Sequence, residues 1–273
     1  MRVLMLLFNP CTHDARVLSE ARALSEAGYE VTVLAWDRDG TNPGYEVRDG
    51  FAVVRLTARI RFSRFMIKKM RSVLSLLAWH LHGYRKGLVL AKERPFDYVH
   101  SHDLDCLLLG VMTSRKLGVP LVYDAHEFCG YQAQRRYPWP IPSMFFRAEA
   151  RLARRASRIL AVHTALAAHL QKRTHTPVCV VMNCKQPCLA EYEAPLNDSV
   201  FTVLYIGILQ ATRGIQLLVD AATDVEGVRA IIGGYGAKNC VATLERANKT
   251  SRQIQYLGIV PSDEVLERTM RAD

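Results

Sequence analysis

Short apolar runs and helix-period segments take turns along almost the whole chain, an order that few folds accept. Apolar runs lie at Val3–Phe8, Glu30–Trp36, Phe51–Leu56, Tyr98–His100, Leu121–Tyr123, Arg158–Val162 and Val178–Met182. Between them, helical patterns cover Asp14–Ala27, Arg59–Leu90, Asp103–Leu117, Met144–Ala156 and Ala165–Arg173, with Asp14 as a helix N-cap and Gly28 as a stop. Strands separated by helices and short turns predict a parallel, doubly wound α/β sheet. The pattern breaks from Gln186 to Asp198, where two prolines and three acids crowd together. It then resumes with strands Phe201–Ile206, Val228–Ile232 and Ile254–Leu257 and helices Gly214–Ala222, Val241–Lys249 and Ser262–Arg271. The reading is therefore two α/β domains, residues 1–186 and 199–273, joined by a linker at 187–198.

Two of the apolar runs end in ionisable clusters. Tyr98 and Val99 lead into His100, Ser101, His102 and Asp103; Leu121 to Tyr123 leads into Asp124, His126 and Glu127. Open parallel sheets bind ligands beyond the carboxyl ends of their strands, so the two clusters predict one cleft. His100 and His102 share a strand face by the period of two, which leaves a metal site open. A strand-end histidine bonded to Asp124 or to the backbone is the plainer alternative for His126.

Charge narrows the partners. The chain carries a formal net charge of +10. Residues 197–273 hold 8 basic and 9 acidic groups against 28 and 17 in residues 1–196, so the excess belongs to the first domain. It concentrates in Arg59, Arg61, Arg64, Lys68, Lys69 and Arg71, and again in a run from Arg135 to Arg158 whose only acid is Glu149. In the first stretch Arg61, Arg64, Lys68 and Arg71 fall on one helical side and Phe62, Phe65 and Met66 on the other. Such a face suits either a solvated surface helix or an anionic membrane surface. No apolar run reaches the roughly 18–20 residues of a spanning helix. Seven cysteines without regular spacing point to reduced thiols in a cytoplasm, and the C-x4-C-x3-C run at Cys179, Cys184 and Cys188 fits no common zinc pattern.

In the second domain, Tyr205–Gly214 puts a glycine at a strand end and Arg213-Gly214 at a helix start, and Gly233-Gly-Tyr-Gly236 repeats the arrangement after the next strand. Free N–H groups at a helix start, close backbone approach at glycine and a nearby arginine together suit a phosphate. Plain strand-to-helix turns would also use these glycines.

Taken in order, His13-Asp-Ala-Arg-Val-Leu18, Ala27-Gly-Tyr-Glu-Val-Thr-Val33, Tyr123-Asp-Ala-His-Glu127, Val181-Met-Asn183, the Tyr205–Gly214 and Gly233–Gly236 loops and Tyr256-Leu-Gly-Ile-Val-Pro261 resemble a retaining, family-4 GT-B glycosyltransferase. The resemblance implies two Rossmann-like domains, a UDP- or GDP-sugar donor and a lipid-linked or polysaccharide acceptor of the cell envelope. It implies no metal or other cofactor, and a location in the cytoplasm or on the inner face of the cell membrane. By residue, it implies Gly207, Arg213, Gly214, Gly234 and Gly236 at the donor. His126, with Asp124 and Glu127 beside it, would be catalytic. Asn9, His13, Asp14, Arg16, His102 and Asp103 would lie on the acceptor side. Two departures stand out. Ile208 replaces a basic residue common after the strand-end glycine. The chain also stops at Asp273, ahead of the family's paired glutamates and closing helix, so the second domain reads as incomplete and the chain alone is expected to be nearly inactive. Two other readings compete: a sugar-nucleotide epimerase, or a basic module binding nucleic acid or another anionic polymer. Against the latter, no zinc-finger, recognition-helix or RNA-binding aromatic motif is visible.

Overall fold

The computed structural model describes residues 1–57, 68–134, 137–184, 200–261 and 264–273, with side chains in 68–73 excluded. The linker 187–198, Cys188, Arg59, Arg61, Arg64, Arg135 and Arg136 lie outside the described residues, as do the side chains of Lys68, Lys69 and Arg71. The chain divides into two compact units, Met1–Lys185 and Gln186–Asp273.

The first unit is an eight-stranded sheet. Its strands are β1 (Arg2–Leu7), β2 (Glu30–Trp36), β3 (Tyr45–Arg48), β4 (Phe51–Leu56), β5 (Tyr98–His102), β6 (Leu121–Ala125), β7 (Arg158–Ala161) and β8 (Val178–Val180), in the order β3-β4-β2-β1-β5-β6-β7-β8. All pairs are parallel except β3 with β4. Of that hairpin, β4 matches the predicted strand, while β3 falls within residues 37–50, whose turn-rich pattern predicts no strand. Asp49 and Gly50 take φ of 49° and 83°, the left-handed pair that a tight two-residue hairpin needs, and Arg48 pairs with Phe51.

Alternation in β1 and β2 decides what packs where. Val3, Met5, Leu7, Val31, Val33 and Ala35 turn to one face, under α1 (Ala15–Glu26). Leu4, Leu6, Leu34 and Trp36 turn to the other, against α2 (Lys68–Glu93) and α3 (Asp103–Leu117). Both faces of the central strands are buried, the arrangement parallel sheets require. Trp36 and Trp79 meet at 5.6 Å between ring centroids, and both are almost fully buried. Asp14 caps α1 by accepting a hydrogen bond from the Val17 backbone N–H at 3.2 Å, as its side chain predicts. A short helix, α4 (Cys129–Gln134), replaces the loop expected after β6, and α5 (Ile141–Ala153) and α6 (Thr164–Thr174) complete the second face.

The chain runs outward from β1 to β3 and returns through α2 to β5, so direction reverses between β1 and β5. Open sheets form their crevice at such a switch point. β5 and β6 each extend two residues past their predicted ends, pairing His102 with Asp124 at the carboxyl edge.

The second unit is a parallel three-stranded sheet, β11-β10-β9, built from β9 (Phe201–Ile206), β10 (Val228–Gly233) and β11 (Ile254–Tyr256). Helices α7 (Ile215–Asp224), α8 (Lys238–Thr250) and α9 (Glu264–Met270) alternate with these strands. Leu209, Ile215, Val219, Ile232 and Leu244 form its core.

Candidate functional site

Two adjacent strand ends, those of β5 and β6, and the start of α1 bring charged groups together at the carboxyl edge of the first sheet. Arg16, in the first turn of α1, reaches across to β6 and is buried. Its Nε donates to Asp124 Oδ2 at 2.7 Å and its Nη2 to Oδ1 at 2.6 Å, a two-pronged pair. Nη1 donates to the Val181 carbonyl at 2.7 Å and to Asn183 Oδ1 at 2.8 Å, while Nη2 also lies 3.0 Å from Glu20 Oε1. The guanidinium therefore makes four hydrogen bonds, two of them to a carboxylate, as a charge kept inside a protein requires, while the Glu20 oxygens beside it accept none.

Asp124 is completely buried, and His126 Nε2 donates to its Oδ2 at 2.9 Å. His102 Nδ1 stands 3.3 Å from the same oxygen. Burial alone would raise the Asp124 pKa, yet hydrogen bonds from His102, His126 and Arg16 hold it far below the usual carboxylate range. His126 is clamped on its other side as well, with Nδ1 3.0 Å from Asp103 Oδ2 and its backbone N–H bonded to Asp103 Oδ1 at 3.1 Å. Burial would lower its pKa, but hydrogen bonds to Asp103 and Asp124 outweigh that and raise it to about 10. His126 is therefore an imidazolium at neutral pH. A permanently charged imidazolium suits electrostatic stabilisation and not general-base work, for which a pKa near 7 serves best.

Beside this network, Glu20 and His100 are kept neutral. Burial, then the Asp124 charge, raises Glu20 to about 8. Burial and the neighbouring His102 lower His100 to about 3. Glu20, His100, His102 and Asp124 offer donor atoms within 4.8 Å of one another, a set chemically suited to a metal. Three of the four, Glu20, His100 and His102, keep buried donor atoms without a hydrogen-bond partner, whereas the fourth is committed. Asp124 already carries Arg16, His126 and His102, and a cation would have to displace a guanidinium 2.6 Å away.

Among the expected site residues, the structure joins Arg16, His102, Asp103, Asp124 and His126 into one network. Only His126 and Asp103, at 15% and 37% side-chain exposure, reach solvent. Arg16 and His102, expected on the acceptor side, and Asp124, expected to be catalytic beside His126, are buried beneath His126. Asp103 holds φ of 58°, a left-handed conformation that aspartate tolerates better than most residues, at the turn from β5 into α3. Glu127 is not part of the network: it is exposed and accepts a hydrogen bond from Gln132. Asn9 donates to Asp14 at 2.8 Å and accepts from the Cys11 N–H, so the pair shapes the loop beneath the edge, and His13 is exposed on it. Glu20 and His100 complete the network but carried no site assignment. Their signal was present: Glu20 lies one helical turn after Arg16, and His100 lies two residues before His102 on the same strand.

In the second unit the glycines bring two loops together. A Cβ on Gly234 would lie 1.8 Å from the Gly207 carbonyl oxygen, and one on Gly236 would lie 2.0 Å from that of Leu209. Their bareness lets the two loops approach each other, with Gly207 N–H donating to Gly233 O at 3.0 Å and Leu209 N–H to Tyr235 O at 2.8 Å. The paired loops set two helix starts side by side. Neither α7 (N-cap Gly214) nor α8 (N-cap Ala237) has a side-chain cap. Arg213 is exposed just before α7. Lys238 is exposed as the first residue of α8, where the helix dipole disfavours a cation that has no anion beside it. Lys238, two residues past the glycine loop, was not singled out in the sequence.

Comparison with known proteins settles what scaffold this is. A family model described as "Glycosyl transferase 4-like domain" matches residues 13–184. The chain belongs to the glycosyl transferase 4-like family. Sucrose-phosphate synthase from Thermosynechococcus elongatus superposes with a TM-score of 0.74 at 13% identity, covering 100% of this chain and 74% of that one. Anabaena Alr3699/HepE, solved with UDP, gives 0.67 at 17% identity, with 100% and 72% covered. The lipopolysaccharide outer core galactosyltransferase WaaB in its apo form gives 0.64 at 14% identity, also with 100% and 72% covered. No match was found among curated protein sequences. Fold and family agree on a glycosyltransferase with Rossmann-like units of the GT-B class. No helix among the described residues is long and apolar enough to cross a membrane.

Proposed function

We propose that this glycosyltransferase moves a sugar from a nucleoside-diphosphate sugar to a hydroxyl of a lipid-linked or polysaccharide acceptor, with retention at C1 and without a metal. The observation that carries the reading is the pair of uncapped helix starts at α7 and α8, flanked by Arg213 and Lys238. Two sets of helix-start N–H groups and two cations match the charge of a diphosphate. As the C1–oxygen bond to the diphosphate breaks, negative charge grows on the leaving oxygen and positive charge on the sugar ring. The helix starts and the two cations stabilise the first without a metal.

The first unit supplies a rigid, charge-balanced edge for sugar hydroxyls. Asp103 accepts them. The His126 imidazolium can donate Nδ1–H to a substrate oxygen by exchanging it for Asp103, since its Nε2 is held by Asp124. Support for a uridine donor comes from the Anabaena protein, also solved with UDP-glucose, and support for an envelope acceptor from WaaB. Isothermal titration with UDP and GDP tests the donor reading. Arg213→Ala with Lys238→Ala should weaken UDP binding at least tenfold, about 1.4 kcal/mol. Equal UDP affinity in the double variant, or no binding of either nucleotide to the native chain, would refute it.

A further inference from the structure

The second half of α5 with the two residues after it, and the last turn of α6, line an open cavity of about 760 Å³ that the transfer reaction does not use. Its charged walls are Arg147, Arg151, Arg154, Arg155, Lys172 and Arg173, and no acid lines it. Both helices end by leading into the amino ends of β7 and β8. The cavity therefore lies at the edge of the sheet opposite His126 and Asp103, and a donor or acceptor held at those residues does not reach it.

One or two basic residues at a helix C-terminus need no ligand, because they offset the dipole. Six converging from two helices exceed that need. Arg147 and Arg151 stand one turn apart on α5, with Arg155 one turn further along the chain, a like-charge spacing that works against the helix. None of the six lies within ion-pair distance of a carboxylate among the described residues. Two are oriented by the protein itself. Arg154 Nη2 donates to the Arg173 carbonyl at 2.9 Å, and the Arg173 guanidinium lies over the Phe146 ring at 5.2 Å from its centroid. The remaining forks are free, and free arginine forks match phosphate oxygens in pairs.

We propose that this cavity is a binding site for a ligand bearing phosphate groups, separate from the donor site. The phosphate comes either from a soluble phosphoanion or from an anionic lipid headgroup, and two probes separate these sources. With UDP present to occupy the donor site, inorganic pyrophosphate is titrated calorimetrically. In parallel, the protein is sedimented with vesicles of phosphatidylglycerol in phosphatidylcholine and with phosphatidylcholine alone. The expected result is salt-sensitive binding of at least one phosphate probe and none to phosphatidylcholine. The exposed triple variant Arg147→Gln, Arg151→Gln, Arg155→Gln should lose at least tenfold in affinity with an unchanged circular-dichroism melt, and Lys172→Gln alone should lose a smaller part. A control removing as many charges elsewhere (Arg246→Gln, Lys249→Gln, Arg252→Gln) should bind as the native chain does. Pyrophosphate binding identifies a soluble anion; binding to phosphatidylglycerol vesicles alone identifies a headgroup. Absence of binding to both probes at low salt, undiminished binding by the triple variant, an equal loss in the control, or tighter binding of duplex DNA than of either probe would overturn the proposal.

Discussion

Replacing Glu20 by glutamine should stabilise the first unit at alkaline pH, although it removes a carboxylate 3.0 Å from an arginine. The reasoning turns on which protonation state folding selects. Burial, reinforced by the Asp124 charge, raises the Glu20 pKa from the usual 4.5 to about 8. The unfolded chain therefore releases this proton at lower pH than the folded one. Where the folded state binds more protons, stability falls as pH rises, here between 4.5 and 8. Glutamine imitates the neutral acid and has no proton to lose. Between pH 5 and pH 8 the native chain should lose about 2–4 kcal/mol relative to Glu20→Gln, allowing for relaxation of the site at 1.36 kcal/mol per pH unit. For a unit of this size that is roughly 5–15 °C in Tm.

Tryptophan fluorescence reports the first unit alone, since the chain's three tryptophans are Trp36, Trp79 and Trp139 and the first two lie in its core. The two proteins should melt together at pH 5 and separate at pH 8, with the variant higher. A native chain that is the more stable at pH 8 would show Glu20 ionised and paired with Arg16, and the argument would fail.

Other outcomes follow from the same geometry. Arg16→Met strips a buried carboxylate of its bidentate partner and should cost about 3–5 kcal/mol of first-unit stability, read by urea unfolding of the same fluorescence. His126 should remain protonated at pH 8 by nitrogen-15 chemical shift and titrate near 10. Its contribution to stability is complete below 6.5 and disappears as pH rises through 10, so a chemical shift typical of neutral imidazole at pH 8 would remove the imidazolium from the mechanism. Gly234→Ala must place a Cβ against the Gly207 carbonyl at φ of 136° and should abolish UDP binding by prising the two loops apart; unimpaired binding in calorimetry would show that the loops yield. Glu127→Gln should leave UDP affinity and unfolding free energy within about 0.5 kcal/mol of native, as expected of a surface substitution outside the network.

Much of this protein is legible in one dimension because its strands are local. A run such as Val31–Trp36 is apolar at nearly every position, and only a strand covered on both faces uses such a run. Asp14 and Gly28 mark the ends of α1 through their own side-chain and backbone preferences, so most elements and the carboxyl-edge position of His102, Asp124 and His126 follow from order alone. The β3–β4 hairpin was written in Asp49-Gly50 and was obscured by the turn-rich residues around it.

What the sequence could not decide is where each polar group spends its hydrogen bonds. Arg16 and Asp124 are 108 positions apart, and only the meeting of α1 with β6 turns them into a buried pair. That pair, with Asp103, fixes His126 as a cation, occupies the Asp124 carboxylate and leaves Glu127 outside. In the second unit the spacing of Gly234 and Gly236 suggests contact with a ligand, whereas folding uses their missing side chains to join two loops and align two helix starts. Sequence supplies the ionisable groups and the edge on which they lie. Their charge states depend on burial and on partners distant along the chain, and only the tertiary structure brings those together.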